Sequence, residues 1–391
     1  MKLDFTSEQK KFRDDLRIYF QEMMSDELVN ELRGDGEGGG PHFRAAMKAM
    51  GRDGLLGVGW PTEYGGQGRT QMDQFIFADE VQSAGFPLPF LTLNTVGPTI
   101  MRYGNDAQKS EILPKVLAGE IFFAIGYSEP GAGTDLASLQ TAAHRDGDEW
   151  VVNGQKMWTS LAGYSDFIWL AARTDPDVPK HRGLSMFLVP TRSEGYSRQK
   201  IETVGGVTTN ATFYDGVRLP ADSLIGGEGN GWSLITGQLN HERISLTSVG
   251  PIRRMLRDVV TWARETKVDG ERVIDKGWVR HNLARVYAKV QVVRLMNWKQ
   301  AWAAQEGHPH PAAASAVKVF GSELNIEAYR AMMEITNARA NIGANDPGSI
   351  LQGRIESAYR NGLILTFGGG TNEVQRDIIA MAGMGLPHYK S

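Results

Sequence analysis

The sequence predicts a mainly α-helical protein with a central β domain. Three observations predict it. Residues 1–120 carry apolar positions at helical spacing. From 121 to 224 the chain breaks into short apolar or alternating runs parted by turn residues, as strands require. From 225 to 391 long helical patterns return. No repeated strand–helix alternation is present, which argues against a doubly wound parallel sheet.

The elements follow in order. Thr6 and Gln9 have the spacing of a capping box, and Phe12, Leu16, Tyr19, Phe20 and Met23 then fall on one helical face. "GDGEGGGP" breaks the chain, and a second helix starts at His42 and ends near "GRDGLLGVGWP". "PTEYGGQG" reads as a loop, and further helices run through Phe75–Ser83 and Asp106–Leu117. Strands are expected in "IFFAIGYSEP", "EWVVNGQKMWTS", "DFIWLAART", "GLSMFLVPT" and "TNATFYDGVRLP". The Asn-Gly pair in "VNGQ" (Val152 to Gln155) signals a hairpin. "IGGEGNGW" links to the last region. The expected units are an N-terminal helical domain (1–120), a middle β-barrel or sandwich (121–224) and a C-terminal four-helix bundle (225–391).

Composition narrows the function. Of 391 residues, 41% are hydrophobic and 22% charged, as in ordinary globular chains. A formal net charge of -3 argues against a general nucleic-acid or membrane-surface role. The chain has no cysteine, which excludes disulfides, thiolate metal sites, iron–sulfur clusters and a cysteine nucleophile. Histidine, aspartate and glutamate show no metal-ligand spacing. The polar, partly acidic start "MKLDFTSEQKKF" lacks an apolar signal core, so a cytoplasmic protein is expected.

Four segments could carry chemistry, and each has a plainer reading. "YSEPGAGTD" (Tyr127 to Asp135) offers two hydroxyls and glycine-exposed N–H groups that could cradle a phosphate or a flavin edge; it could equally be a turn-rich crossover. In "KMWTS", Trp158 could lie over a planar cofactor or fill a core. "QLNHERISL" (Gln238 to Leu246) is helical, and His241, Glu242 and Arg243 could form a solvated patch or a site. "YDGVRLP" closes the strand region. "TFGGGTNEVQRD" (Thr366 to Asp377) puts three glycines before a helix with Thr371 or Asn372 as N-cap, and lacks the Lys-Ser/Thr ending of a P-loop.

Together and in this order, "YSEPGAGTDLAS", "NGQKMWTS", "YDGVRLP", "LNHERISL" and "FGGGTNEVQRDIIA", with "PTEYGG" upstream, resemble the acyl-CoA dehydrogenase family over essentially the whole chain. The resemblance implies FAD between the β domain and the C-terminal helices, a carboxylate that takes the α-proton of an acyl-CoA thioester, and a 2-enoyl-CoA product. It places flavin contacts on Tyr127, Ser128, Gly133, Thr134, Trp158, Thr159, Ser160, Thr371, Asn372 and Glu373. Thr134, Arg243 and Gly370 are expected at the substrate. Most of the family carries the base after the aromatic residue of the loop, where this chain has Gly369. A minority carries it on a C-terminal-domain helix just before an Arg, where this chain has Glu242-Arg243. The resemblance therefore implies Glu242 as general base, with the Gly369 N–H donating to the thioester oxygen.

Two departures bear on assembly. "ETKVDGERVID" lacks the family's Arg-x-x-Phe-Gly, and "NARANIGAND" stands where Gln-x-x-Gly-Gly is usual. Both family segments reach a neighbour's FAD. The chain thus resembles the glutamate-bearing subunit of heterotetrameric acyl-CoA dehydrogenases of bacterial steroid degradation. That likeness implies a second, similar subunit in a two-plus-two assembly, a steroid side-chain CoA ester as substrate and an electron-transferring flavoprotein as acceptor. A non-catalytic partner subunit and a flavin-dependent oxygenase on the same fold remain the alternatives.

Overall fold

A computed structural model describes residues 4–33, 38–245, 248–344 and 346–387, with the side chains of 239–245 outside the description. The N-terminal helices are α1 (Ser7–Met23), α2 (Asp26–Leu32), α3 (Pro41–Arg52), α4 (Gln71–Ala84), α5 (Gly97–Tyr103) and α6 (Asp106–Leu117). The Thr6 capping box forms: Gln9 N donates to Thr6 Oγ1 at 3.2 Å, and Thr6 N donates to Gln9 Oε1 at 3.1 Å. Leu16 and Phe20 on that face are buried. Helix α4 starts earlier than its apolar run because Thr70 and Asp73 make a second capping box.

The middle strands are β1 (Phe123–Gly126), β2 (Ala142–Asp146), β3 (Glu149–Lys156), β4 (Phe167–Arg173), β5 (Leu184–Pro190), β6 (Tyr196–Glu202), β7 (Thr208–Pro220) and β8 (Leu224–Ile225). They form one sheet in the order β6-β7-β3-β2-β4-β5-β8, with β1 added parallel to β4. Strands β2 and β6 are mostly exposed and polar, so neither shows an apolar run in the sequence. The Asn153-Gly154 pair is not the hairpin turn its sequence suggests. It lies inside β3 as a bulge against β7, with Gly154 at φ +144 and Asn153 Oδ1 accepting Gly216 N at 2.8 Å. The turn comes earlier, between β2 and β3 at Gly147 (φ +62).

The C-terminal helices are α7 (Gly231–Ser245), α8 (Gly250–Glu265), α9 (Gly277–Gln305), α10 (Pro311–Thr336), α11 (Arg354–Gly362) and α12 (Asn372–Ile378). Between α8 and α9 the helical reading gives way to a short hairpin, β9 (Lys267–Val268) with β10 (Glu271–Arg272). Asp269 (φ +54) and Gly270 (φ +82) make its turn, the Asp-Gly signature of a hairpin.

One apolar core joins three regions: N-terminal helices, one face of the sheet (Trp169, Met186, Leu188) and Leu234 and Ile235 of α7. The other sheet face and the C-terminal bundle have cores of their own. Helix α4 bridges N- and C-terminal helices through two buried acids. Arg17 of α1 grips Glu80 with two bonds of 2.9 Å, and Arg253 of α8 binds Asp79 at 2.7 Å. Among the described residues no helix is long and apolar enough to cross a membrane.

Candidate active site

The loop from Tyr127 to Thr141 leaves β1 and has only a short 3₁₀ turn (Leu136–Ser138) and a single Glu129–Ala132 bridge of its own, so the rest of its polar backbone must be held by something else. Glu129 holds it. Its carboxylate accepts Gln140 N at 2.7 Å, Thr141 N at 2.8 Å and Lys156 Nζ at 2.8 Å. Lys156, the last residue of β3, is fully buried and also donates to Tyr127 O at 3.1 Å. Met157 N donates to Ser128 O at 2.8 Å. Burial opposes ionisation of Glu129, but the Lys156 charge and the surrounding donors outweigh it and hold the carboxyl below the usual range. Burial pushes the Lys156 ammonium down to about 8 against the pull of Glu129.

The same stitches bring the Trp158 segment beside the loop. Trp158 is 56% exposed and sits at φ +63, a left-handed conformation costly for a bulky side chain. Leu161 follows at φ +70. Thr159 is fully buried and engaged from β7: its N–H donates to Asn210 O at 2.9 Å, its carbonyl accepts Asn210 Nδ2 at 3.2 Å, and its hydroxyl lies 3.3 Å from that of Thr212. Trp158 and Ser160, on either side, are left exposed.

Gly131 and Gly133 need explaining from outside the chain. Neither takes positive φ, and a Cβ on either would meet nothing within 4 Å. Internal strain and internal packing therefore do not require glycine here, whereas close approach of a bound group to the backbone would. Gly133 and Thr134 are both exposed.

The glycine loop is held separately, from α10. Lys318, 2% exposed, donates to Thr366 O at 3.2 Å, Gly370 O at 2.7 Å and Asn372 Oδ1 at 2.8 Å. It spans the loop from one end to the other. Gly369 and Gly370 take φ +67 and +94, and Gly368 N donates to Ile364 O at 2.7 Å. Thr371 caps α12 by accepting Val374 N at 3.3 Å. Asn372 is buried on Ser322 and Lys318, while Glu373 is exposed in the first turn, where the N-terminal amides hold its carboxyl below the usual range. Beneath Gly370 the amide of Gln375 is fully buried, with neither polar atom bonded. Sequence reading missed Lys156, Lys318 and Gln375. The available signal was a lone lysine inside an apolar run, as in "AAASAVKVF".

Helix α7 meets the Tyr127 loop through Gln238, whose Oε1 accepts the Tyr127 hydroxyl. Glu242 and Arg243 lie one turn farther along α7, and their side chains are outside those described.

A cavity of about 400 Å³ opens between the Gly85–Phe90 segment and the first turns of α8. Phe86, Leu88, Phe90 and Met255 form its apolar walls, with Arg254 and Arg354 at its polar edge.

Removing one partner of a buried ion pair strands the other. Lys156→Met is expected to cost about 3–5 kcal/mol in thermal or denaturant unfolding, and Glu129→Gln combined with it to recover part of that loss. Because the folded Glu129 value lies below the unfolded one, its contribution is present above about pH 4.3 and is lost as pH falls through the folded value. Melting curves across this range should show a shallower acid limb in Glu129→Gln than in the wild type.

Three family domains match the chain: acyl-CoA dehydrogenase N-terminal domain over residues 6–120, middle domain over 124–215 and C-terminal domain over 229–384. Acyl-CoA dehydrogenase FadE26 of Mycobacterium tuberculosis is 53% identical, covering 99% of both chains. Among solved structures, a chain of the ChsE4-ChsE5 complex from Mycobacterium tuberculosis matches with a TM-score of 0.93 and 53% identity over 100% of both chains. The Tcur3481-Tcur3483 steroid ACAD matches with a TM-score of 0.93 and 49% identity over the same extent. The chain belongs to the acyl-CoA dehydrogenase family, whose members are FAD-dependent flavoproteins.

Proposed function

We propose that this acyl-CoA dehydrogenase is the glutamate-bearing subunit of a heteromer that oxidises a steroid side-chain CoA ester to its 2-enoyl-CoA, with Glu242 as general base. The observation that carries this reading is a pairing. The glycine loop at 368–370 offers backbone and no carboxylate, while α7, the helix with Glu242, is bonded to the Tyr127 loop through Gln238.

FAD, when bound, supplies the hydride acceptor for the β-carbon. Gly131 and Gly133 leave its approach open, and Tyr127, Ser128, Gly133, Thr134, Trp158, Ser160 and the start of α12 are the groups on hand to hold it. Glu242 takes the α-proton. Charge then develops on the thioester oxygen, where the Gly369 N–H stabilises it. Lys318 keeps that donor in place by fixing both ends of the loop, so the donor need not reorganise during reaction. Arg243 and Thr134 contact the CoA ester. The steroid ACAD named above supports a steroid as the acyl body of that ester. The division at 120 and 224 then separates the flavin-loop domain from the helix that carries the base.

Assembly has its own support. Val292, Leu295 and Trp302 of α9 are exposed at spacings of three and seven, one side of a helix. Leu363, Ile364 and Phe367 before the glycine loop are exposed as well. The proposed partner is a second, similar subunit in a two-plus-two assembly; the ChsE4-ChsE5 complex supports a heteromer. An electron-transferring flavoprotein fits as the acceptor.

Glu242→Gln keeps shape but cannot take a proton. It should slow flavin bleaching by a steroid side-chain CoA ester about 10²–10⁴-fold in stopped flow, with flavin content preserved. Bleaching at the wild-type rate would place the base elsewhere.

Gly133→Val adds a side chain where the fold leaves space. Flavin retention should fall at least about tenfold while the melting temperature without flavin stays within the small range of surface changes. Equal loss of both would mean that the fold itself needs the glycine.

Leu295→Asp should break the heteromer, at a cost of about 2 kcal/mol or more in subunit affinity, and leave the single chain folded. Light scattering of the co-expressed pair reads this directly; an unchanged mass would remove α9 from the interface.

A further inference from the structure

A file of polar groups, buried except for the half-buried Tyr127, runs through all three regions of the molecule and passes through α7. Trp169 Nε1 on β4 donates to the Tyr127 hydroxyl at 3.0 Å. The Tyr127 hydroxyl donates to Gln238 Oε1. Gln238 Nε2 donates to Thr99 Oγ1 on α5 at 3.1 Å, and Thr99 Oγ1 donates to Thr95 O at 2.7 Å. Trp169 is fully buried; Gln238 and Thr99 are 4% and 6% exposed.

The direction of the file is fixed by its ends. The indole N–H can only donate, and the backbone carbonyl can only accept. Along these links Tyr127 passes its proton onward, and Gln238 presents oxygen to Tyr127 and nitrogen to Thr99. Glutamine supplies both the acceptor and the donor needed at this place: glutamate lacks the N–H₂, and leucine lacks both groups. Buried networks of this kind carry a high cost when one member fails.

Gln238 is four residues before Glu242 on the same helix, about 6 Å along the axis. We infer that Gln238 is a positioning residue: it locks the rotation and register of α7 against the middle domain and α5, and thereby sets where Glu242 meets the substrate α-carbon. Leu234 and Ile235 already anchor α7 by apolar contact. Apolar packing tolerates sliding that directional bonds do not. A base displaced by about 1 Å can cost on the order of 10²-fold in rate. This inference rests on the reading of Glu242 as base.

The test uses the flavin-loaded heteromer and counts rate per bound flavin. Gln238→Leu, Gln238→Glu and Thr99→Val are compared with the wild type. Thr99→Val removes the hydroxyl, which breaks the last two links, from Gln238 to Thr99 and from Thr99 to Thr95, and leaves the bond between Gln238 and Tyr127 in place. Each variant should lower kcat by about tenfold to hundredfold with KM changed less than about threefold. The isotope effect on the α-deuterated substrate should rise, because the proton step slows alone. In the Glu242→Gln background the same changes should add almost nothing, since they act through Glu242. Wild-type kcat in Gln238→Leu, with Glu242→Gln slow, overturns the positioning role and leaves the base reading standing. Losses that multiply in the double variants overturn it too, and point to general loosening. A wild-type rate in Glu242→Gln instead overturns the base reading itself.

Discussion

The buried contact between Lys156 and Glu129 is the constraint on which the site is built. An ammonium and a carboxylate taken out of water are costly unless every remaining donor and acceptor finds a partner. Here Glu129 also takes two backbone amides, and Lys156 also takes the carbonyl of Tyr127. One pair thus fixes both ends of a loop with no ladder of its own, and aligns it with the end of β3. Everything that follows in space depends on that alignment. Tyr127 can reach Gln238 on α7 only because its own backbone is pinned, and Trp158 lies beside the loop because Met157 is bonded to Ser128.

The same solution recurs at the second loop. Three consecutive glycines have no side chains to hold themselves, and two of them take positive φ. Lys318 reaches out of an apolar helix face to bind both ends of the loop and the first residue of α12. Rigid elements are left to the sheet and bundle, while irregular backbone, where N–H groups remain available to a ligand, is held from behind by buried polar side chains. Strain at Trp158 and Leu161 belongs to the same economy of form: bonds from Asn210 and the Thr212 side force a turn that the local sequence would not choose.

Helix α7 joins these two arrangements to the rest of the molecule. It packs its apolar side into the core shared by the N-terminal helices and the sheet, and the buried amide of Gln238 faces the other domains. The acids of α4 tie the neighbouring α8 and α1 into the same frame through Arg253 and Arg17. A helix held from three sides is a suitable carrier for a base that must keep one distance.

Local patterns were legible. Apolar spacing and two-residue caps are set by near neighbours, so α1, α6 and most strands could be read directly, and the order of motifs gave the family. Strands β2 and β6 escaped because their exposed residues carry no apolar signature. The Asn-Gly pair misled because the same dipeptide that makes a turn in isolation makes a bulge when β7 pairs with it on both sides. The sequence by itself determined the fold class and the family, and that Gly369 carries no carboxylate. Only the tertiary structure decided how the loops are held. Lys156, Lys318 and Gln238 bond to acceptors and donors 27 to 139 residues away, and a buried polar residue declares its role only when that distant partner arrives. Hydrogen bonds are directional and short, so no local pattern encodes them; the fold must first bring the two ends within about 3 Å.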